Sequence, residues 1–104
     1  MPDRKRLPQR RLSVTREVRF WSQMWELTVG FYEDGSPGEV FISGGKAGTD
    51  LEAMARDGAV LLSFCLQYGV PINVLAPALT RNRDGSPSAL TGAIADRLVE
   101  ESRS

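Results

Sequence analysis

The sequence predicts an α+β fold: a three-stranded antiparallel sheet with three helices packed on one face, in the order β-β-β-α-α-α. Two observations carry this. Apolar residues alternate at a period of two between residues 13 and 43, and then recur at three- and four-residue spacing from residue 49 onward. A third, the Asp-Gly-Ser-Pro turn at 34–37, separates the last two strands.

In the first strand Val14, Arg16, Val18 and Phe20 fall on one face, with Thr15, Glu17 and Arg19 on the other. "WSQM" reads as a turn. "WELTVGFY" then puts Trp25, Leu27, Val29 and Phe31 on the core face, opposite Glu26, Thr28 and Tyr32. "EDGSPG" turns the chain and "EVFIS" returns as the third strand. Thr49 and Glu52 form a capping box, in which each side chain reaches the other's backbone N–H. From there Leu51, Met54, Ala55, Ala59, Leu62 and Leu66 mark a helix to about Gln67, ended by Gly69 and Pro71. "PINVLAPAL" reads as a short helix in which Pro77 should either cost about 3 kcal/mol or force a break near Asn73. "RNRDGSP" is a loop, and "SALTGAIADRLVEE" a last amphipathic helix with Leu90, Ile94 and Leu98 in register. Asp-Gly-Ser-Pro recurs at 84–87 in different surroundings, which indicates reused turn chemistry and no internal repeat. The expected core joins Trp25, Leu27, Val29, Val40, Ile42, Leu62, Leu66, Ile94 and Leu98.

At 104 residues, 41% apolar and 25% charged, the chain has the composition of one soluble domain. It is neutral overall, but residues 1–11 carry Arg4, Lys5, Arg6, Arg10 and Arg11 against Asp3, a net +4. This segment reads as a basic flexible arm, either a solvated tail or a contact for an anionic partner, ahead of a domain spanning 12–104. No apolar run approaches the roughly 20 residues that cross a bilayer, and no secretory signal is visible. Cys65 is the single cysteine, which suggests a reducing, cytoplasmic compartment. With no histidine present, Ser-His and Cys-His nucleophile pairs and His/Cys zinc sites are excluded. Neither a metal nor a cofactor is expected.

Residues 33–79 carry a resemblance. The frame Asp34-Gly35, Pro37, Glu39-Val40-Phe41, Gly45-Lys46, Gly48, Leu51, Ser63, Leu66 and Gly69-Val70-Pro71 resembles the TSCPD domain. That domain forms the C-terminal part of adenosylcobalamin-dependent (class II) ribonucleotide reductases and also occurs as small free-standing bacterial proteins. The resemblance runs from about Trp25 to Val99. The Thr-Ser-Cys-Pro-Asp run that names the family is replaced by Ser88-Ala89-Leu90-Thr91-Gly92, so the cysteine and any metal or redox role of it are gone. Pro77 also departs from the pattern. The radical and reducing cysteines of a reductase are absent, and Cys65, amid apolar residues, is read as a small core side chain. The resemblance therefore implies a non-catalytic binding module that works through a partner protein, a ribonucleotide reductase among the candidates, or through self-association. An accessory subunit completing a site on another chain is the remaining enzymatic reading.

Two stretches could hold an anion. "SGGKAGT" contributes Ser43, Gly44, Gly45, Lys46, Gly48 and Thr49 at a helix start. It lacks the spacing of a phosphate-binding loop, and Asp50 and Glu52 would repel a phosphate, so a structural turn is the favoured reading. Arg81 and Arg83 sit on the polar loop 80–88. With residues 4–11 these cations make nucleotide or nucleic-acid binding the alternative function. Trp25 and Phe31 belong to the core face, leaving Tyr32 and Phe41 exposed, too few for a base-stacking platform.

Overall fold

The structure, a computed structural model, describes residues 3–102. Strands β1 (Ser13–Phe20), β2 (Gln23–Phe31) and β3 (Pro37–Gly44) form an antiparallel sheet in the order β1-β2-β3. Helices α1 (Asp50–Gln67), α2 (Ile72–Ala78) and α3 (Leu90–Glu101) follow.

The β1–β2 hairpin is tighter than "WSQM" suggests. Phe20 pairs with Gln23, so only Trp21 and Ser22 turn, both with positive φ (51° and 64°). A two-residue loop between right-twisted strands requires that handedness, although neither residue is the glycine or asparagine that adopts it freely. β2 pairs with β3 through Leu27↔Ile42 and Val29↔Val40, with a register shift at Gly30/Phe31. That shift breaks the alternation, so Gly30, Phe31 and Tyr32 are all buried in succession.

Tyr32 is thus a correction. The period of two places it on the outer face, but it is 8% exposed because residues 4–5 lie over it. Its hydroxyl donates to the Lys5 carbonyl at 2.5 Å, and Lys5 Nζ stands 4.6 Å from its ring centroid. Burial pushes its phenol above the ordinary value. Phe41 is exposed, as its face predicts.

Trp25, Leu27, Val29, Val40 and Ile42 of the sheet are buried with Ala55, Ala59 and Leu62 of α1 and with Ile94, Ala95 and Leu98 of α3. Leu66, expected with them, is half-buried and packs against the core, and Cys65 is also half-buried. α1 begins as its capping residues require: Thr49 Oγ1 accepts from Glu52 N at 3.2 Å. The reciprocal arm differs by one residue, since Glu52 Oε1 accepts from Gly48 N and not from Thr49 N. At the other end Gly69 N donates to Leu66 O and Val70 N to Cys65 O, with Gly69 at φ 91°. These two bonds form a Schellman cap.

Pro77 does not break α2 near Asn73. The helix has seven residues, so Pro77 lies in its last turn, and the missing N–H removes one bond just before the helix ends.

The two Asp-Gly-Ser-Pro turns share one geometry. Gly35 N donates to Tyr32 O and Gly85 N to Asn82 O, both at 3.0 Å; Tyr32 N reaches Ser36 O and Asn82 N reaches Ser86 O. In each, the serine N–H and hydroxyl both donate to the aspartate Oδ1. Those donors hold the Asp34 and Asp84 carboxyls below the ordinary carboxylate value. The strands flanking each turn also correspond, Phe31↔Pro37 in the sheet and Arg81↔Pro87 as an isolated bridge.

Candidate binding surfaces

The glycine-rich turn after β3 is shaped by the core beneath it. Gly44, Gly45 and Gly48 have φ of 117°, 63° and 79°. A Cβ at Gly45 would lie 2.5 Å from the indole ring of Trp25, which is 1% exposed and has no room to yield. Backbone conformation and close approach both demand glycine there. The helix start is partly satisfied from within, because Glu52 takes Gly48 N and Thr49 takes Glu52 N. Thr49 Oγ1 also donates to Lys46 O at 2.7 Å. Asp50 and Glu52 supply the negative charge that suits the dipole. Ser43 and Lys46 are exposed. Beside the turn, Trp25 Nε1 and Gln23 Oε1 are buried without hydrogen-bond partners.

Arg81 is committed elsewhere. Its guanidinium makes a bidentate pair with Asp96 at 2.7 and 2.6 Å and donates to the carbonyls of Ala76 and Gly85. The Asp96 hydrogen bonds raise its pKa further. This clamp ties the 80–88 loop to α2 and α3. Arg81 lines a cavity with Asn73, Pro77 and Asp96 to which none of residues 43–49 contributes. Arg83 is exposed.

Of residues 1–11, expected as a basic flexible arm, the first two lie outside the described residues, and Arg4, Lys5 and Arg11 make specific contacts with the domain. Arg4 Nε donates to Gln67 Oε1 at 2.5 Å, and its guanidinium lies 4.8 Å from the Phe64 ring centroid. Lys5 N donates to Gln67 O at 2.7 Å. Arg11 pairs with Glu39 and donates to the Pro8 carbonyl.

A groove of about 490 Å³ runs between β3 and α1, lined by Arg4, Phe41, Ile42, Arg56, Val60 and Phe64 among others. At one end α1 reaches across to the strand. Ser63 Oγ accepts from Val40 N at 2.9 Å and stands 3.2 Å from Val40 O, while Gln67 Nε2 donates to Gly38 O at 3.0 Å. Sequence reasoning missed this surface. Ser63 and Gln67, polar residues four apart on a mostly apolar helix, are the signal that could have found it. Phe41, Val60 and Phe64 are exposed along the groove, with Met54 and Leu61 beside them on the outer face of α1. No helix among the described residues is long and apolar enough to cross a membrane.

Comparison with known proteins gives the chain its relatives. It is 37% identical over 82 residues to a vitamin B12-dependent ribonucleotide reductase of Rhodopirellula baltica, covering 79% of this chain and 8% of that one. A vitamin B12-dependent ribonucleotide reductase of Bradyrhizobium diazoefficiens is 35% identical over 83 residues, 80% of this chain and 7% of its own length. One from Streptantibioticus cattleyicolor is 34% identical over 90 residues, 86% of this chain and 15% of its own. The chain therefore spans less than a sixth of the curated relatives it matches here. No solved structure matches it significantly. The TSCPD domain profile matches residues 2–101, which takes in β1 and the stretch expected as an arm. With sheet, helices and N-terminal segment all inside that match, the chain belongs to the TSCPD domain family.

Proposed function

We propose that this chain is a non-catalytic, cytoplasmic interaction module, acting through a partner protein, a ribonucleotide reductase foremost, or through a second copy of itself. The carrying observation is the apolar groove between β3 and α1, where Phe41 is 57% exposed, Val60 51% and Phe64 42%. Soluble domains rarely leave large apolar side chains grouped in this way unless something covers them. The relatives support a reductase as partner, because the portion they share with this chain is a small part of a vitamin B12-dependent ribonucleotide reductase. Arg81, one cation of the nucleotide-binding alternative, is occupied by Asp96.

The test is purification of the tagged chain from its own cell, with and without residues 4–11, alongside sedimentation across a range of concentration. Capture of a reductase, confirmed by reciprocal pull-down, or concentration-dependent self-association is the expected result. Association through an apolar surface should persist in salt. Capture of nucleic acid that weakens steeply with salt would overturn the reading. So would ribonucleotide reduction by the isolated chain supplied with adenosylcobalamin and dithiol.

A further inference from the structure

β3 is an outer strand of the sheet, and α1 covers its free edge with side chains one helical turn apart. Gln67 serves Gly38 and Ser63 serves Val40, so four residues along α1 correspond to two along β3. By the same spacing, one step further, Ile42 falls level with Ala59, whose side chain has no polar atom to offer; both line the groove. In antiparallel pairing, outward- and inward-facing backbone groups alternate. Val40 turns its N–H outward to Ser63, so Ile42, two residues on and paired with Leu27 as Val40 is with Val29, turns its N–H and C=O the same way. Among the described residues neither group has a partner. Ile42 is 6% exposed, so these groups are reached only along the groove that it lines.

We infer that this groove docks an extended acidic peptide, which pairs its backbone with Ile42 and seats an apolar side chain beside Phe41, Val60 and Phe64. The inference rests on the interaction-module reading and names the place and the chemistry of the partner. Three observations converge on that occupant. An unpaired donor and acceptor on one strand residue match the backbone of one residue of an added strand. The flanking apolar side chains suit the alternate side chains of such a strand. The charge is one-sided: Glu39 is neutralised by Arg11, while Arg56 is exposed with no ion pair among the described residues and Arg4 is held at the wall by the neutral Gln67 and Phe64. Among the described residues the groove thus presents two cations and no free carboxylate.

The experiment titrates the isotopically labelled full chain with a soluble peptide alternating valine and glutamate, and with its lysine counterpart, following backbone amides by NMR. The glutamate peptide should bind with the Ile42 amide among the largest shifts, and the lysine peptide should not bind. Arg56→Glu should weaken binding about tenfold or more through charge alone. Ala59→Ser should weaken it similarly by giving Ile42 the hydroxyl that Ser63 gives Val40. If the serine variant fails to fold, the exposed Arg56 variant decides the matter. No saturable shift, equal binding of the lysine peptide, or binding indifferent to Arg56→Glu would overturn the inference. The same amides shifting on raising protein concentration alone would replace the peptide by a second copy and overturn it too. If the tagged chain captures a reductase and both variants capture it equally, the groove is refuted while the interaction module stands.

Discussion

Ser63→Ala removes a single hydroxyl that joins α1 to β3. Val40 is 2% exposed, so its N–H has no water to turn to once Ser63 Oγ is gone. A buried donor left unpaired costs about 1–3 kcal/mol. Two effects oppose that loss. Alanine is a better helix former than serine by roughly 0.5 kcal/mol. The hydroxyl proton also bonds back to Ala59 O at 2.8 Å, a contact that slightly disfavours a helix. The unpaired donor outweighs both, and the net cost is about 1.5 kcal/mol. In a domain of this size each kcal/mol lowers Tm by roughly 4–8 °C, which puts the fall at about 6–12 °C. Urea unfolding should show a lower midpoint with an unchanged slope. Hydrogen exchange at the Val40 amide should accelerate by more than at Val29 on the neighbouring strand. A loss below about 0.5 kcal/mol, with Val40 as protected as before, would refute the edge-capping argument.

At the glycine-rich turn, Gly45→Val combines a positive φ with collision against the fixed Trp25 ring and should cost about 3 kcal/mol by chemical denaturation, against about 1 for Thr49→Ala and under about 0.5 for Lys46→Ala. A Lys46-dependent rise in Tm with phosphate or a nucleotide would instead make the turn an anion site. Arg81→Lys should destabilise more than Arg83→Ala, because an ammonium cannot hold Asp96 bidentately while serving the Ala76 carbonyl; a double-mutant cycle with Asp96→Asn checks the coupling. Asp34 and Asp84 have folded pKa values below the ordinary 3.8, so their contribution is present above that value and is lost as pH falls through the folded pKa. Acid titration of Tm should therefore decline below about pH 4, and less steeply in the Ser36→Ala, Ser86→Ala double variant.

Much of the fold was legible in the sequence because its signals are local. A period of two sets which face of β2 is apolar, since successive side chains point to opposite sides, and Trp25, Leu27 and Val29 are buried accordingly. The Thr49 cap and the Gly69 ending involve residues within a turn or so of one another, as do both Asp-Gly-Ser-Pro turns. Tertiary structure decided what joins residues far apart in the chain. Tyr32 is buried because Lys5, 27 residues away, lies across it, and Arg4 finds Gln67 63 residues on. Arg81 looked like a free loop cation until α3 brought Asp96 beside it. The groove has the same origin: Ser63 and Gln67 read locally as polar residues on a helix, and only the alignment of α1 with β3 makes them edge caps. That alignment also leaves Ile42 facing Ala59. Local patterns determine which face of an element is apolar, whereas the partners of a polar side chain depend on how whole elements settle against one another. Here the core contacts of Trp25, Leu62 and Leu98 set that arrangement, and the polar partnerships follow from it.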